Sequence, residues 1–140
     1  MMMRTTIPKP APISGLLATG CQGDRNSLEA ILKGTPWALI ETASRTEAMR
    51  FLRQTTASIV LCDRDLQDRP WQQTMLALLS VRRDTRFILL SSAKESTPRN
   101  EVVYRGGFDL LVRPFRREQV LSMLIGASSR HEAVTSRVPI

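Results

Sequence analysis

Five short apolar runs recur along the chain, and the segments between them place apolar residues at helical spacing. The runs cover residues 13–18, 37–40, 59–61, 86–90 and 110–112, and each has the length of a β-strand. Consecutive strands that are separated by helices pair in parallel through right-handed crossovers. The pattern therefore predicts an α/β domain, a doubly wound five-stranded parallel sheet with helices on both faces.

Capping signals mark where the helices begin and end. The pairs Asn26–Glu29 and Ser44–Glu47 have the spacing of capping boxes, which predicts helix starts at both places. Pro70 suits the first turn of the third helix, and Thr97 with Pro98 the start of the fourth. Glycines that can stop a helix in the left-handed conformation stand at Gly34 and Gly106.

The apolar pattern divides the chain into a folded part and two ends. Residues 1–12 are rich in proline and predict a flexible leader, residues 13–126 predict one domain, and residues 127–140 predict a loose C-terminal tail. Too few residues follow the fifth helix for a second domain, so we expect no attached DNA-binding output module. No apolar run reaches membrane-spanning length and no signal-peptide core is present, which favours a cytoplasmic protein without membrane contact.

The chain carries a net charge of +7, which raises the possibility of nucleic-acid binding. The arginines are dispersed over most predicted helices and loops, however, and no basic stripe is interleaved with aromatic residues. A solvated basic surface is favoured over a nucleic-acid partner. Cys21 and Cys62 are too few for a disulfide framework or a metal site, and free thiols suit the cytoplasm.

Polar residues follow three of the strands directly. Asp63 and Asp65 come after the third strand, Ser91 after the fourth and Arg113 after the fifth. The carboxyl ends of parallel strands share one rim, where such sheets form their sites. A carboxylate, a hydroxyl and a guanidinium at this rim can hold a phosphoryl group. The alternative is that the aspartates open a polar loop, that Ser91 caps a turn and that Arg113 is an ordinary surface cation that pairs with Asp63.

Three segments in this order resemble a known family. They are Val-Leu-Cys-Asp63, Leu-Leu-Ser91-Ser92, and the run from Gly106 to Phe115 with its Arg-Pro-Phe ending. Together they resemble the receiver domain of bacterial two-component response regulators over about residues 13–126. The resemblance implies a (βα)5 flavodoxin-like fold with strand order 2-1-3-4-5.

The resemblance also implies roles for individual residues. Asp63 stands at the position that accepts a phosphoryl group from a kinase histidine, Ser91 at the position of the supporting hydroxyl, and Arg113 at that of a lysine. Leu110 stands where receivers carry an aromatic switch residue. The planar guanidinium of Arg113 can fork onto a carboxylate, so an Asp63–Arg113 pair could occupy the site permanently.

The receiver resemblance implies Mg²⁺, but the acidic pair that helps to hold this ion is missing. Thr19 and Gly20 occupy its positions, and neither is an anionic oxygen ligand. Asp63 with a backbone carbonyl near Asp65 makes a poor site, because Mg²⁺ usually takes one or two carboxylates in octahedral geometry. Asp24 could substitute only if the loop folds unusually. Mg²⁺ is therefore a weak candidate cofactor.

These observations favour a single-domain pseudo-receiver in phosphorelay signalling that acts by protein–protein interaction and is not an enzyme. Its partner would be a histidine kinase, a downstream effector or a second copy of the chain. The partner face would comprise the fourth helix, fifth strand and fifth helix, with Arg99, Arg105, Arg116 and Arg117 on or near it; a solvated basic face is the alternative for these arginines.

Three other functions stay open. The first is a working phosphoacceptor at Asp63, and the second is a basic nucleic-acid-binding protein. The third is a small enzyme on a flavodoxin-like scaffold, since fold does not fix function. This last is least favoured, because the segment after the first strand is too short for a Gly-rich phosphate loop and lacks lysine.

Overall fold

A parallel five-stranded sheet forms the centre of the protein. The computed structural model describes residues 13–55, 57–66, 69–93 and 98–136, with side chains described between residues 15 and 128 of these ranges. The strands are β1 (Ile13–Ala18), β2 (Trp37–Thr42), β3 (Ile59–Asp63), β4 (Arg86–Ser92) and β5 (Asp109–Arg113). They lie in the order β2-β1-β3-β4-β5, and neighbouring strands are parallel. The predicted α/β fold and strand order are confirmed.

Helices cover both faces of the sheet. They are α1 (Gln22–Leu32), α2 (Arg45–Gln54), α3 (Trp71–Val81), α4 (Arg99–Tyr104) and α5 (Arg117–Ser136). One apolar core contains buried residues of α2, α3 and α4, and a second core on the opposite face contains buried residues of α1 and α5. The two cores give the domain three layers.

The alternation of side chains along β3 separates the two cores. Val60 and Cys62 belong to the core beneath α2, α3 and α4, whereas Ile59 and Leu61 belong to the core beneath α1 and α5. Because successive strand residues face opposite sides, Asp63 continues the row of Ile59 and Leu61. Arg113 continues the row of Leu111 in β5 in the same way. Both charged side chains are thus directed to the side of α1.

The second helix starts where the sequence predicts. Ser44 is its N-cap, and the Ser44 hydroxyl oxygen accepts a hydrogen bond of 3.0 Å from the backbone N–H of Glu47. The Glu47 carboxylate accepts a 2.8 Å hydrogen bond from the backbone N–H of Ala43. The first bond is that of a capping box, and the second ties Glu47 to the residue before the N-cap.

The first helix starts four residues earlier than predicted, at Gln22 and not at Asn26. Cys21 is its N-cap in an extended conformation, and the Cys21 carbonyl oxygen accepts hydrogen bonds from the N–H groups of Asp24 and Arg25. The prediction from the Asn26–Glu29 spacing is therefore wrong. As a consequence, Asp24 lies in the first turn of α1 and not in a loop.

The last helix continues to Ser136, beyond the predicted domain end at Gly126. The segment from 127 to 136 contains neither proline nor a further glycine that would stop it, and Ala127 is buried in the core beneath α1 and α5. Helix α5 therefore includes residues 127–136 of the predicted tail, and its looseness stays a prediction. The leader at 1–12, the cap at Thr97 and residues 137–140 lie outside the described residues. In the described part of the chain, no helix is both long and apolar enough to cross a membrane.

Candidate functional site

Three charged side chains meet at the carboxyl end of the sheet. Arg113, at the end of β5, donates from Nε to Asp24 Oδ1 at 2.8 Å and from Nη2 to Asp24 Oδ2 at 2.8 Å. The same Nη2 donates to Asp63 Oδ1 at 3.0 Å, at the end of β3. We call Asp24, Asp63 and Arg113 the charge cluster.

The segment between β1 and α1 places Asp24 in the cluster. Thr19 follows β1, is fully buried, and donates from Oγ1 to Asp24 Oδ2 at 2.8 Å. Thr19 Oγ1 also accepts a hydrogen bond of 3.1 Å from the backbone N–H of Cys21, the N-cap of α1. Thr19 thereby links the end of the strand to the start of the helix and holds the Asp24 carboxylate.

The charges of the cluster stabilise one another. Burial by itself raises the pKa of Asp24, which is only 3% exposed, but hydrogen bonds from Arg113 and Thr19 outweigh it and lower this pKa below its usual value. The hydrogen bond to Asp24, the largest contribution, and that to Asp63 raise the pKa of Arg113 despite partial burial. Asp24 is therefore ionised and Arg113 charged at neutral pH. The guanidinium also lies 5.8 Å from the centre of the Phe115 ring, within cation–π range.

Of the other predicted site residues, Asp65 and Ser91 lie at the same rim and Leu110 lies in the core. The Asp65 backbone N–H donates to Asp63 Oδ1 at 3.3 Å, while the exposed Asp65 carboxylate lies 3.7 Å from the Arg64 guanidinium. Ser91 is fully buried at the end of β4, and its Oγ lies 3.5 Å from the Ser92 carbonyl oxygen, at the limit of a hydrogen bond. Leu110 is buried in the core beneath α2, α3 and α4.

Comparison with known proteins finds solved structures with a similar fold. No protein-family model and no curated protein matches the sequence. Solved structures of similar fold include a signal receiver domain of an HD domain-containing protein from Pseudomonas fluorescens Pf-5. It has a TM-score of 0.75 and 16% identity, and the match covers 96% of this chain and 100% of that one.

Two further structures give the same result. The N-terminal signal receiver domain of a two-component system response regulator from Bacteroides fragilis has a TM-score of 0.73 and 16% identity, over 81% of this chain and 94% of that one. A response regulator receiver domain protein from Clostridium thermocellum has a TM-score of 0.74 and 14% identity, over 86% and 98%. This chain has the receiver-domain fold.

Within the receiver fold, the residues of this chain do not fit Mg²⁺. Hydrogen bonds from Arg113 occupy both oxygens of Asp24 and one oxygen of Asp63. Thr19 and Gly20 offer no carboxylate, and the nearby Cys21 is a soft ligand that suits this hard ion poorly. Among the described residues, no group of three or more His, Cys, Asp and Glu side chains could hold a metal ion. The cation in the charge cluster is Arg113.

Asp24 belongs to the charge cluster but is not one of the site residues that the sequence predicts. The sequence places it near the predicted helix start, beyond the acidic-pair positions at Thr19 and Gly20, although one signal points to its burial. The signal was its spacing to Leu28 and Leu32, since all three are buried and lie four residues apart on one side of α1. A carboxylate on the buried stripe of a helix needs a partner, and Arg113 is the partner.

The arginines predicted for a partner face are mostly engaged within the protein. Arg99 pairs with Asp109 at 2.7 Å and Arg105 with Glu101 at 2.9 Å. Arg117 donates to the Ile31 carbonyl oxygen of α1 at 2.8 Å, and Arg116 is exposed. The charges on α4 are therefore balanced locally.

Proposed function

We propose that this protein is a non-enzymatic, cytoplasmic signalling protein of the receiver type that acts by binding another protein, with aspartyl phosphorylation weakened or absent. The observation that carries this proposal is the 3.0 Å hydrogen bond from Arg113 Nη2 to Asp63 Oδ1, in a guanidinium that also forms two hydrogen bonds with Asp24. The partner is a signalling protein such as a histidine kinase or a downstream effector.

Phosphorylation of Asp63 requires a carboxylate oxygen to attack the phosphorus atom of the donor. Asp63 Oδ1 already accepts hydrogen bonds from Arg113 and from the Asp65 backbone. An incoming phosphoryl group also needs positive charge close to its oxygens. The charge of Arg113 is already shared between the carboxylates of Asp24 and Asp63, which opposes the reaction.

The surface around α4 and α5 supports a protein partner. A groove of about 280 Å³ lies between the two helices and the start of β5, lined by Arg99, Phe108, Asp109, Gln119, Ser122, Met123 and Gly126. Large apolar side chains are exposed on both helices, with Tyr104 91% exposed on α4 and Ile125 exposed on α5. Exposed aromatic residues beside paired charges are typical of protein interfaces.

The first test is intact mass after incubation with acetyl phosphate, with and without Mg²⁺. We expect no mass gain on the native chain, and none on Asp63→Asn, which serves as the acceptor control. A gain of one phosphoryl group that needs both Mg²⁺ and Asp63 would instead establish the working phosphoacceptor. Circular dichroism on the same samples shows that each chain is folded.

The second test addresses the partner surface. Proteins that cross-link to the native chain in a bacterial extract are identified, and their capture is compared with capture by Tyr104→Ser. Leu76→Ser is the matched control, because Leu76 is also exposed and apolar but lies on α3. We expect Tyr104→Ser to lose a signalling protein that both the native chain and Leu76→Ser retain. Equal capture by all three chains would contradict the proposed surface.

A further inference from the structure

A single nitrogen atom of Arg113 contacts the carboxylates of both Asp24 and Asp63. Arg113 Nη2 is 2.8 Å from Asp24 Oδ2 and 3.0 Å from Asp63 Oδ1. These oxygens come from α1 and β3, so the guanidinium joins a helix and a strand at this rim. A divalent cation joins two carboxylates in the same manner, through oxygens from both.

The two carboxylates need a cation between them. The Asp24 side chain is 3% exposed and the Asp63 side chain 14% exposed, so water solvates neither fully. Partly buried carboxylates at this separation repel each other unless a positive charge compensates them. Arg113, with its side chain 25% exposed, is the cation that contacts both.

A guanidinium in this position excludes a metal ion for two reasons. It cannot lose its proton at any pH at which the protein is folded, so its charge would repel an approaching cation. Its hydrogen bonds also occupy the carboxylate oxygens that a metal would need. Metal binding would therefore require Arg113 to leave the cluster.

We infer that Arg113 is a built-in cation that replaces a divalent metal, so that the native site is independent of Mg²⁺ and the same carboxylates bind Mg²⁺ or Mn²⁺ once the guanidinium is removed. The inference deepens the proposed function and rests on it, because it explains how the receiver site is held without a metal. Its test measures metal binding itself and needs no phosphoryl transfer.

The experiment compares thermal unfolding in MgCl₂ with unfolding in NaCl of equal ionic strength. It uses the full native chain, Arg113→Gln and Arg113→Ala. Gln keeps hydrogen-bonding capacity without the charge, so it tests the loss of charge with less loss of packing than Ala. Arg105→Ala is the matched control, since it removes an arginine from an exposed ion pair away from the cluster.

We expect the native chain and Arg105→Ala each to have the same midpoint temperature of thermal unfolding in MgCl₂ and in NaCl. For the two Arg113 variants, we expect the midpoint temperature of unfolding to rise by about 5 °C between 0.1 and 10 mM MgCl₂. Adding Asp63→Asn to Arg113→Gln removes one carboxylate and should abolish the rise. Binding of Mn²⁺, measured by the loss of the free-ion electron paramagnetic resonance signal, should follow the same pattern.

Two results would overturn the inference. One is metal-dependent stabilisation of the native chain, which would show that Arg113 does not exclude the metal. The other is the absence of any metal effect in the Arg113 variants, including a variant that stays unfolded in 10 mM MgCl₂. A native chain that binds metal yet gains no phosphoryl group would refute the inference and leave the proposed function in place.

Discussion

At the scale of single residues, Asp24 holds the charge cluster together. Its two oxygens accept three side-chain hydrogen bonds, two from Arg113 and one from Thr19. Asp63 receives only one hydrogen bond from the same guanidinium. The position of Arg113 is therefore set mainly by α1, and Asp63 is held by an arginine that another residue has already fixed.

Replacement of Asp24 by asparagine should destabilise the protein by about 3 kcal/mol, because it breaks a buried charge pair and leaves Arg113 with only part of its compensation. The measurement is urea unfolding followed by circular dichroism. The control is Asp109→Asn, which removes the carboxylate of a more exposed pair with Arg99 and should cost about 1 kcal/mol or less. Equal losses in the two variants would show that the Asp24 pair is no stronger than a surface ion pair.

The same residue should make stability depend on pH in the acid range. The pKa of folded Asp24 is lowered, so its stabilising effect is complete above the unfolded pKa of about 3.9 and is lost as the pH falls through the folded value. The free-energy difference between the native chain and Asp24→Asn should therefore shrink below about pH 4. Urea midpoints measured from pH 3 to pH 7 test this, and a difference that stays constant over that range would contradict it.

At the scale of elements, the strands were predicted better than the helix boundaries. Buried strands of a parallel sheet are continuous apolar runs, and their ends coincide with the first polar residue, which placed Asp63 and Arg113 correctly at the rim. Helix α1 was misplaced because local spacing at Asn26 suggested a cap, while the cap in the structure has no side-chain signal. Asp24 in the first turn of α1 pairs with Arg113, which is 89 residues away, and a local pattern does not contain that contact.

The end of α4 shows the opposite case, in which local residues determine where the helix ends. Gly106 has a φ of 107°, and the backbone N–H groups of Gly106 and Gly107 donate to the carbonyl oxygens of Val103 and Val102. This is a Schellman motif, which ends a helix with a left-handed residue. It turns the chain into β5 and so positions the strand that carries Arg113.

Gly106→Ala should lower the free energy of unfolding by about 1 kcal/mol, because a side chain disfavours positive φ. Thermal and urea unfolding measure the loss. Gly20→Ala is the control, since Gly20 has neither positive φ nor any atom within 4 Å of an added Cβ. A loss at Gly20 as large as at Gly106 would mean that backbone conformation is not the cause.

At the scale of the whole molecule, the sheet divides the interior into two cores that share its central strand. Cys62 lies on β3, is completely buried, and has a pKa raised by burial and, to a smaller extent, by the Asp63 charge. Its sulfur lies in the core beneath α2, α3 and α4, so a reagent reaches it only when packing on that face opens. Cys21, in contrast, is exposed at the start of α1.

Thiol labelling should distinguish the two cysteines. In the native protein a disulfide reagent should modify Cys21 quickly and Cys62 only through global opening. In a Cys21→Ser chain, the labelling rate of Cys62 should rise with urea with the slope of the equilibrium unfolding transition. A fast, urea-independent reaction at Cys62 would show that the core on this face opens locally.

The charge cluster also joins residues that are far apart in the chain. Arg113 is 89 residues from Asp24 and 50 residues from Asp63. Closing contacts over such separations costs much chain entropy, so we expect the cluster to form late in folding. Interactions absent from the folding transition state slow unfolding and leave the folding rate nearly unchanged. We therefore expect the loss of these side chains to speed unfolding more than it slows folding, which stopped-flow kinetics of Asp24→Asn in urea would measure.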